Sequence, residues 1–125
     1  MDKKRIMNEE WNKNFIRGIC ISKTRIMKCI EVILTKEDVV FDSVCMIATY
    51  NTFDNGDPER CEEDEVVLSM EFPGYQEEVS YLKYKEFFYL IEYGIKEKIS
   101  LFIDSDKEAI LKELGNARNL ILENY

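Results

Sequence analysis

The sequence predicts an α+β fold, in which N-terminal and C-terminal helices pack on a small antiparallel sheet of about three strands in the order α-α-β-β-β-α-α. Apolar residues recur at helical spacing before residue 36 and again after residue 84. Between residues 39 and 83 they alternate with a period of two, which is typical of strands. With 125 residues, 46% of them hydrophobic, residues 1–125 are predicted to form a single domain.

Two helical segments precede the predicted sheet. The first covers residues 8–19 and carries an apolar stripe that begins at Trp11. The second covers residues 23–36, with a cleaner stripe that begins at Ile26 and with Ser22 suited to cap its first turn. The pattern allows either two separate helices or one kinked helix.

Three strands are predicted next. Residues 39–49 alternate without a break, are rich in β-branched residues and predict one long strand with both faces covered. A strong turn signal at residues 54–58 separates it from a second strand over residues 66–72. Pro73-Gly74 fits the centre of a type II turn, and alternation resumes over residues 77–83. The simplest arrangement is an antiparallel meander.

Two further helices are predicted after the sheet. The first begins near Tyr84, and the second is introduced by a capping box with Ser105 at the N-cap and Glu108 at position N3. Gly115 lies inside the last helix, where it costs about 1 kcal/mol relative to alanine, and close packing is one reason to keep it. The predicted buried stripe of that helix is Ile110, Leu114, Ala117 and Ile121.

The four cysteines predict neither a disulfide framework nor a zinc site. Cys20, Cys29, Cys45 and Cys61 form no CxxC pair, and the chain contains no histidine. Cys29 and Cys45 stand among apolar residues and are predicted to pack as small hydrophobic side chains. Cys61 stands among carboxylates, which we expect to raise the pKa of its thiol.

The chain shows neither a secretory signal nor a membrane-spanning pattern. Polar residues follow the basic start of the chain, so the apolar run of a signal peptide is missing. No stretch approaches the roughly 20 apolar residues that a transmembrane helix requires. These observations predict a cytoplasmic protein with reduced thiols and no membrane partner.

Negative charge is concentrated in residues 54–78, here called the acidic segment. It holds ten carboxylates and one base, Arg60, for a net charge of −9, whereas the whole chain carries −8. Such a surface repels nucleic acid and anionic membranes and attracts basic partners over a Debye length of about 8–10 Å. The sequence therefore predicts a basic protein as the partner, and not a nucleic acid.

Catalytic and metal-binding patterns are weak. Without histidine there is no Ser-His or Cys-His pair, and the glycines are scattered, so no phosphate-binding loop forms. Asp54 and Glu65 fit the two ends of a calcium-binding loop, but Gly56 and Pro58 stand where oxygen ligands belong and Glu59 replaces the turn glycine. We predict no catalytic residue, no cofactor and no metal. A pair of carboxylates acting as in glycosidases is the remaining enzymatic alternative.

The predicted partner-binding residues combine carboxylates of the acidic segment with three aromatic residues beside it. The aromatic residues are expected to act as interface anchors, and the alternative is that they pack beneath the loop. The full set is Tyr50, Phe53, Asp54, Asp57, Glu59, Glu62, Glu63, Asp64 and Tyr75.

The run EVVLSMEFPGYQEEVSYLKYKEFFYL, over residues 65–90, is followed by a helix rich in tyrosine and lysine and by a final acid-capped helix. This part of the chain, about residues 39–122, resembles bacterial immunity proteins, and more narrowly those paired with ribonuclease toxins of contact-dependent growth inhibition. The resemblance rests on overall pattern, so it transfers no role to an individual residue. It implies a small, cytoplasmic, non-enzymatic protein that binds a basic ribonuclease toxin domain, as a monomer in the complex.

A second class of function fits the same charge pattern. The alternative is an adaptor or regulatory subunit that uses the acidic segment to bind a basic protein other than a toxin. Binding over the active site of a toxin and binding beside it are both compatible with the sequence.

Overall fold

The computed structural model of the chain describes residues 3–125, and its α+β class is the predicted one. A five-stranded sheet is combined with four α-helices and two short 3₁₀ turns, at Tyr50–Thr52 and Ile99–Leu101. The elements are β1 (Lys4–Arg5), α1 (Glu9–Ile19), α2 (Lys23–Thr35), β2 (Val39–Phe41), β3 (Cys45–Thr49), β4 (Glu65–Met70), β5 (Glu78–Lys83), α3 (Tyr84–Lys98) and α4 (Asp104–Asn124).

The sheet has the strand order β1-β5-β4-β3-β2. Strands β3, β4 and β5 form the predicted antiparallel meander, with Ile47 opposite Leu68 and Leu68 opposite Ser80. Two short strands extend it: β1 runs parallel to β5 at one edge, and β2 runs antiparallel to β3 at the other. The predicted number of about three strands was therefore too low.

The prediction of one long strand over residues 39–49 is wrong, because the chain reverses direction within it. Asp42 and Ser43 both have positive φ, at 53° and 63°, and Val44 N donates to Phe41 O at 3.3 Å, as in a type I′ turn. Arg25 fixes this turn by donating to both carboxylate oxygens of Asp42, at 2.7 and 2.6 Å. The alternation of apolar residues continues through the turn, so the sequence pattern does not show that the chain reverses there.

The N-terminal helical region consists of two separate helices. Ser22 caps α2 as predicted, since its side-chain oxygen accepts from Arg25 N at 3.3 Å. The cap of α1 is Asn8, whose side chain accepts from Glu10 N and Trp11 N. Phe15 of α1 and Ile26 of α2 belong to the same main core, so both helices lie on the same side of the sheet.

The predicted capping box of α4 is wrong. The helix begins at Asp104, and the carbonyl oxygen of Ile103 accepts from Asp106 N and Lys107 N, both at 3.0 Å. Ser105 therefore lies inside the first turn, where it cannot serve as the N-cap. The carboxylates of Asp104 and Asp106 lie in the first turn, where the helix dipole favours negative charge.

The close helix contact expected at Gly115 is found at Gly94 instead. A Cβ at Gly115 would have no atom within 4 Å, whereas a Cβ at Gly94 in α3 would meet Ile16 Cγ2 of α1 at 3.0 Å. The glycine in α3 therefore permits the close approach of α1.

The four helices lie on one side of the sheet, where α2 and α3 contact the strands, α1 packs on α3, and α4 packs on α2 and α3. The main core joins their apolar faces to Phe41, Ile47, Val66, Leu68 and Leu82 of the strands. Cys29 is fully buried in this core, as predicted, and Cys45 is half-buried beside it. Within residues 3–125, no helix combines the length and the apolar character needed to cross a bilayer.

The opposite face of the sheet carries a second, smaller core. Ala48, Val67 and Val79 point to this face and are buried, each at most 4% exposed. Their cover is the chain between β3 and β4, which contributes Cys61 and Phe53. The first half of the acidic segment is thus folded back onto the sheet, and this places its carboxylates on a fixed surface.

Candidate partner-binding surface

The β3–β4 connection, residues 50–64, is shaped by two consecutive turns. Gly56 has a φ of 88°, and Asp57 N donates to Asp54 O at 3.1 Å across the first turn. In the second turn, the side chain of Asp57 accepts from Glu59 N at 2.8 Å, and Arg60 N donates to Asp57 O at 3.0 Å. The carboxylate of Asp57 therefore helps to hold the connection in shape.

Arg60, the one base of the acidic segment, is used inside the connection. Its guanidinium lies 3.5 Å from the centroid of the Tyr50 ring, and its Nε donates to Tyr50 O at 3.1 Å. A further bond joins Arg60 to Asn55 Oδ1 at 3.3 Å. Tyr50 is half-buried and packs against the second core, which agrees with the alternative that the aromatic residues pack beneath the loop.

Lys3 joins the connection to the β4–β5 hairpin. Its Nζ lies 2.6 Å from Glu59 and 3.3 Å from Glu77. Desolvation by burial opposes the charged form of this lysine, but its bonds to both carboxylates prevail and raise its pKa. Tyr81 adds a second link, since its hydroxyl donates to Glu59 O at 2.7 Å. Glu59, a predicted partner-binding residue, is thus already paired within the chain.

Asp64 is likewise paired. Lys83 at the end of β5 donates to both of its oxygens, at 3.0 and 3.1 Å, and this hydrogen bonding raises the pKa of Lys83. The backbone oxygen of Asp64 accepts from Tyr84 N at 2.9 Å, where α3 begins. These bonds anchor the end of the connection to the start of a buried helix.

Three carboxylates of the connection remain available to a partner. Asp54, Glu62 and Glu63 are exposed, and none of them has an ion pair within residues 3–125. In the hairpin, Glu71 is exposed and equally unpaired in the part of the chain that the structure describes. The connection therefore presents negative charge from a backbone that its other residues hold in place.

The predicted aromatic anchors separate into two groups. Tyr75 is 75% exposed at the β4–β5 turn, where Gly74 has a φ of 83° and Tyr75 N donates to Phe72 O, in agreement with the predicted type II turn. Phe53 is half-buried and packs on the second core. Strand β4 ends at Met70 and not at residue 72 as predicted, and Phe72, beyond its end, is 47% exposed. The predicted set of partner-binding residues therefore omits Phe72, an exposed aromatic residue beside Tyr75.

Cys61 lies beneath the carboxylates and is 3% exposed. Burial and then the charge of Glu65 raise the pKa of its thiol to about 11. Its Sγ donates to Glu65 O at 3.5 Å. The predicted increase in the pKa of the thiol is confirmed. Burial contributes more to it than the neighbouring carboxylates do. The burial was not predictable, because the irregular connection has no periodic apolar pattern.

The carboxylates of the connection do not converge on a common point. Glu65 would be the last ligand of a calcium loop over residues 54–65. Its Oε1 instead accepts a hydrogen bond from Glu62 N at 2.9 Å and closes a local turn. Over residues 3–125, no three acidic or thiol side chains are grouped as the ligands of a metal ion.

A separate cleft of about 540 Å³ lies between β1, β5, α1 and α3. Its walls include Tyr81, Tyr89 and Tyr93. Asn12 is 8% exposed at this cleft, and its buried Oδ1 has no hydrogen-bond partner in the described chain. Nothing in the sequence pattern singles out this region, because Asn12 stands beside Glu10, Lys13 and Asn14 and resembles a solvent-exposed helix position.

Comparison of the chain with protein family models, with curated proteins and with solved structures finds no match.

Proposed function

We propose that this protein is an immunity protein that binds and neutralises a cognate basic ribonuclease toxin through its acidic surface. It acts in the cytoplasm, as a monomer in the complex and without catalysis. The resemblance of residues 39–122 to immunity proteins of contact-dependent growth inhibition motivates the choice of partner.

The observation that supports this proposal best is the exposure of Asp54, Glu62 and Glu63 on a connection that is already ordered. Cys61 and Phe53 hold the connection against the sheet. A surface held in one conformation loses little entropy on binding, so more of the interaction energy is retained as affinity. Ordered, unpaired carboxylates are what a basic partner requires.

The chemistry of ribonucleases explains why such a partner fits. An RNA-cleaving enzyme holds phosphates with lysine and arginine side chains, so its active-site surface is basic. Carboxylates placed where phosphates would lie can occupy that surface. Charges of opposite sign also increase the association rate and discriminate between partners.

A functional assay tests this proposal directly. The toxin domain is taken from the gene immediately upstream, its cleavage of RNA is measured, and the protein is titrated into the reaction. We expect cleavage to stop at one equivalent of the protein, and the affinity to fall as salt is raised. Intact cleavage at a large excess of the protein, at low as well as high salt, would contradict the proposal. Capture of a basic protein without nuclease activity would favour an adaptor.

A further inference from the structure

One row of side chains on the second face of the sheet remains partly open. The strand register places Val40 beside Met46, Met46 beside Ser69, and Ser69 beside Val79. Val40 is 55% exposed, and Met46 and Ser69 are half-buried. Val79 at the far end of the row is 4% exposed, so the open apolar surface of the row lies at Val40 and Met46.

The next row on the same face is closed. Ala48 lies beside Val67, and these two side chains are 3% and 2% exposed beneath the β3–β4 connection. The connection covers this row and also Val79, whereas Val40 and Met46 stay partly open, and Phe53 at its margin forms a wall of that open part. The difference between the two rows creates a step on the face of the sheet.

This step forms a groove of about 330 Å³, here called the sheet groove. Its floor includes Met46 and Val79, and Phe53 stands on one side. The lining also includes Lys3 and Glu77, which pair with each other, and Glu71, which is exposed and has no ion pair within residues 3–125, so the rim keeps one unpaired negative charge. An apolar floor therefore adjoins an acidic rim.

We infer that the sheet groove binds an extended basic segment of the partner, with one apolar side chain between lysine or arginine residues. This inference rests on the proposed function and adds a second contact to it. The apolar side chain packs on Val40 and Met46, where burial of a residue such as leucine is favourable. A neighbouring cation pairs with Glu71, which offers a free carboxylate at the rim.

The negative net charge of the protein favours a basic segment as the occupant of the sheet groove. The chain carries −8, so a second copy of it and an anionic membrane surface are both repelled. The groove is also continuous with the connection through Phe53, so one basic partner can contact both.

Two short peptides probe the groove without the toxin. Acetyl-Lys-Lys-Leu-Lys-Lys-amide is titrated against protein with labelled methionine methyl groups, and the same peptide with serine in place of leucine is the charge-matched control. We expect the leucine peptide to shift the Met46 signal and to bind at least about fivefold more tightly than the serine peptide, because only leucine buries apolar surface. Met7 and Met27 lie outside the groove and serve as internal references. An unmoved Met46 signal, or equal binding of both peptides, would overturn the inference.

A substitution extends the test to the toxin. Val40→Lys places a positive charge at the groove, and Leu122→Lys places the same charge on the exposed surface of α4, where Leu122 is 71% exposed. We expect Val40→Lys to weaken toxin binding at least about tenfold and Leu122→Lys to change it less than about twofold. If Val40→Lys and wild type bind the toxin equally and the leucine peptide does not shift the Met46 signal, the groove is not a binding site, but the proposed function stands. If wild-type protein does not bind the toxin, the proposed function fails, while the peptides still report on the groove.

Discussion

Individual side chains show how the acidic connection is tied to the fold. Arg60 is stacked on Tyr50, Lys3 bridges Glu59 and Glu77, and Cys61 is buried beneath them. Arg60 and Cys61 thus have structural roles inside a segment whose charge pattern predicts an exposed surface, and Lys3 joins them from the start of the chain. The carboxylates without such a role are the ones open to a partner.

Burial of Cys61 predicts a specific dependence of stability on pH. The folded-state pKa of about 11 lies above the ordinary value of 9.0, so the folded state prefers the neutral thiol. This contribution is fully present below pH 9.0 and is lost as pH rises through about 11. Urea unfolding at a series of pH values should show a loss of stability in this window that is smaller in Cys61→Ala. Identical pH profiles for the two proteins would show that the thiol is not buried as described.

Asn12 predicts a gain in stability on substitution. Its buried Oδ1 lacks a partner, and an unsatisfied buried polar group costs about 1–3 kcal/mol. We expect Asn12→Leu, which removes that group at similar volume, to raise the free energy of unfolding by about 1 kcal/mol. Asn119→Leu on the exposed surface of α4 is the matched control and should change little. A marked loss of stability in Asn12→Leu alone would mean that the amide has a structural partner.

The regular elements followed from the sequence where a periodic pattern ended at a clear signal. Ser22 fixed the start of α2, and Pro73-Gly74 fixed the turn between β4 and β5. The β2–β3 turn was missed, because Asp42 and Ser43 continue the alternation while they reverse the chain. Strand β1 was missed because two residues are too few to show a period, and its pairing with β5 depends on contacts distant in sequence.

Two helical glycines should respond in opposite directions to alanine. Gly115→Ala meets open space, so the higher helix propensity of alanine should raise the free energy of unfolding by about 0.5–1 kcal/mol. Gly94→Ala should lower it by about 1–3 kcal/mol, because the new methyl group meets Ile16 at 3.0 Å between α1 and α3. Chemical denaturation of both variants checks the pair. Stabilisation by Gly94→Ala would contradict the close packing of these helices.

Across the whole molecule, the acidic segment has a different structural setting from the one that the charge pattern suggested. The structure keeps Asp54, Glu62 and Glu63 exposed, as the charge pattern predicts, but folds residues 50–64 over the second face of the sheet. This arrangement was not predictable, since Phe53 and Cys61 are single apolar residues without a period. Of the predicted site, Asp54, Glu62, Glu63 and Tyr75 are the residues most accessible to a partner.

The most direct measurement for the proposed role is the association rate with the toxin domain. Asp54→Asn/Glu62→Gln/Glu63→Gln removes the three unpaired carboxylates of the connection. Glu31→Gln/Glu108→Gln/Glu123→Gln removes the same charge from exposed helical positions without an ion pair in the described chain. In stopped-flow experiments at low salt, we expect the first variant to associate on the order of tenfold more slowly than wild type, and the control to differ by less than about twofold. Equal rates for the two variants would contradict the central claim that this connection is the surface that captures the partner.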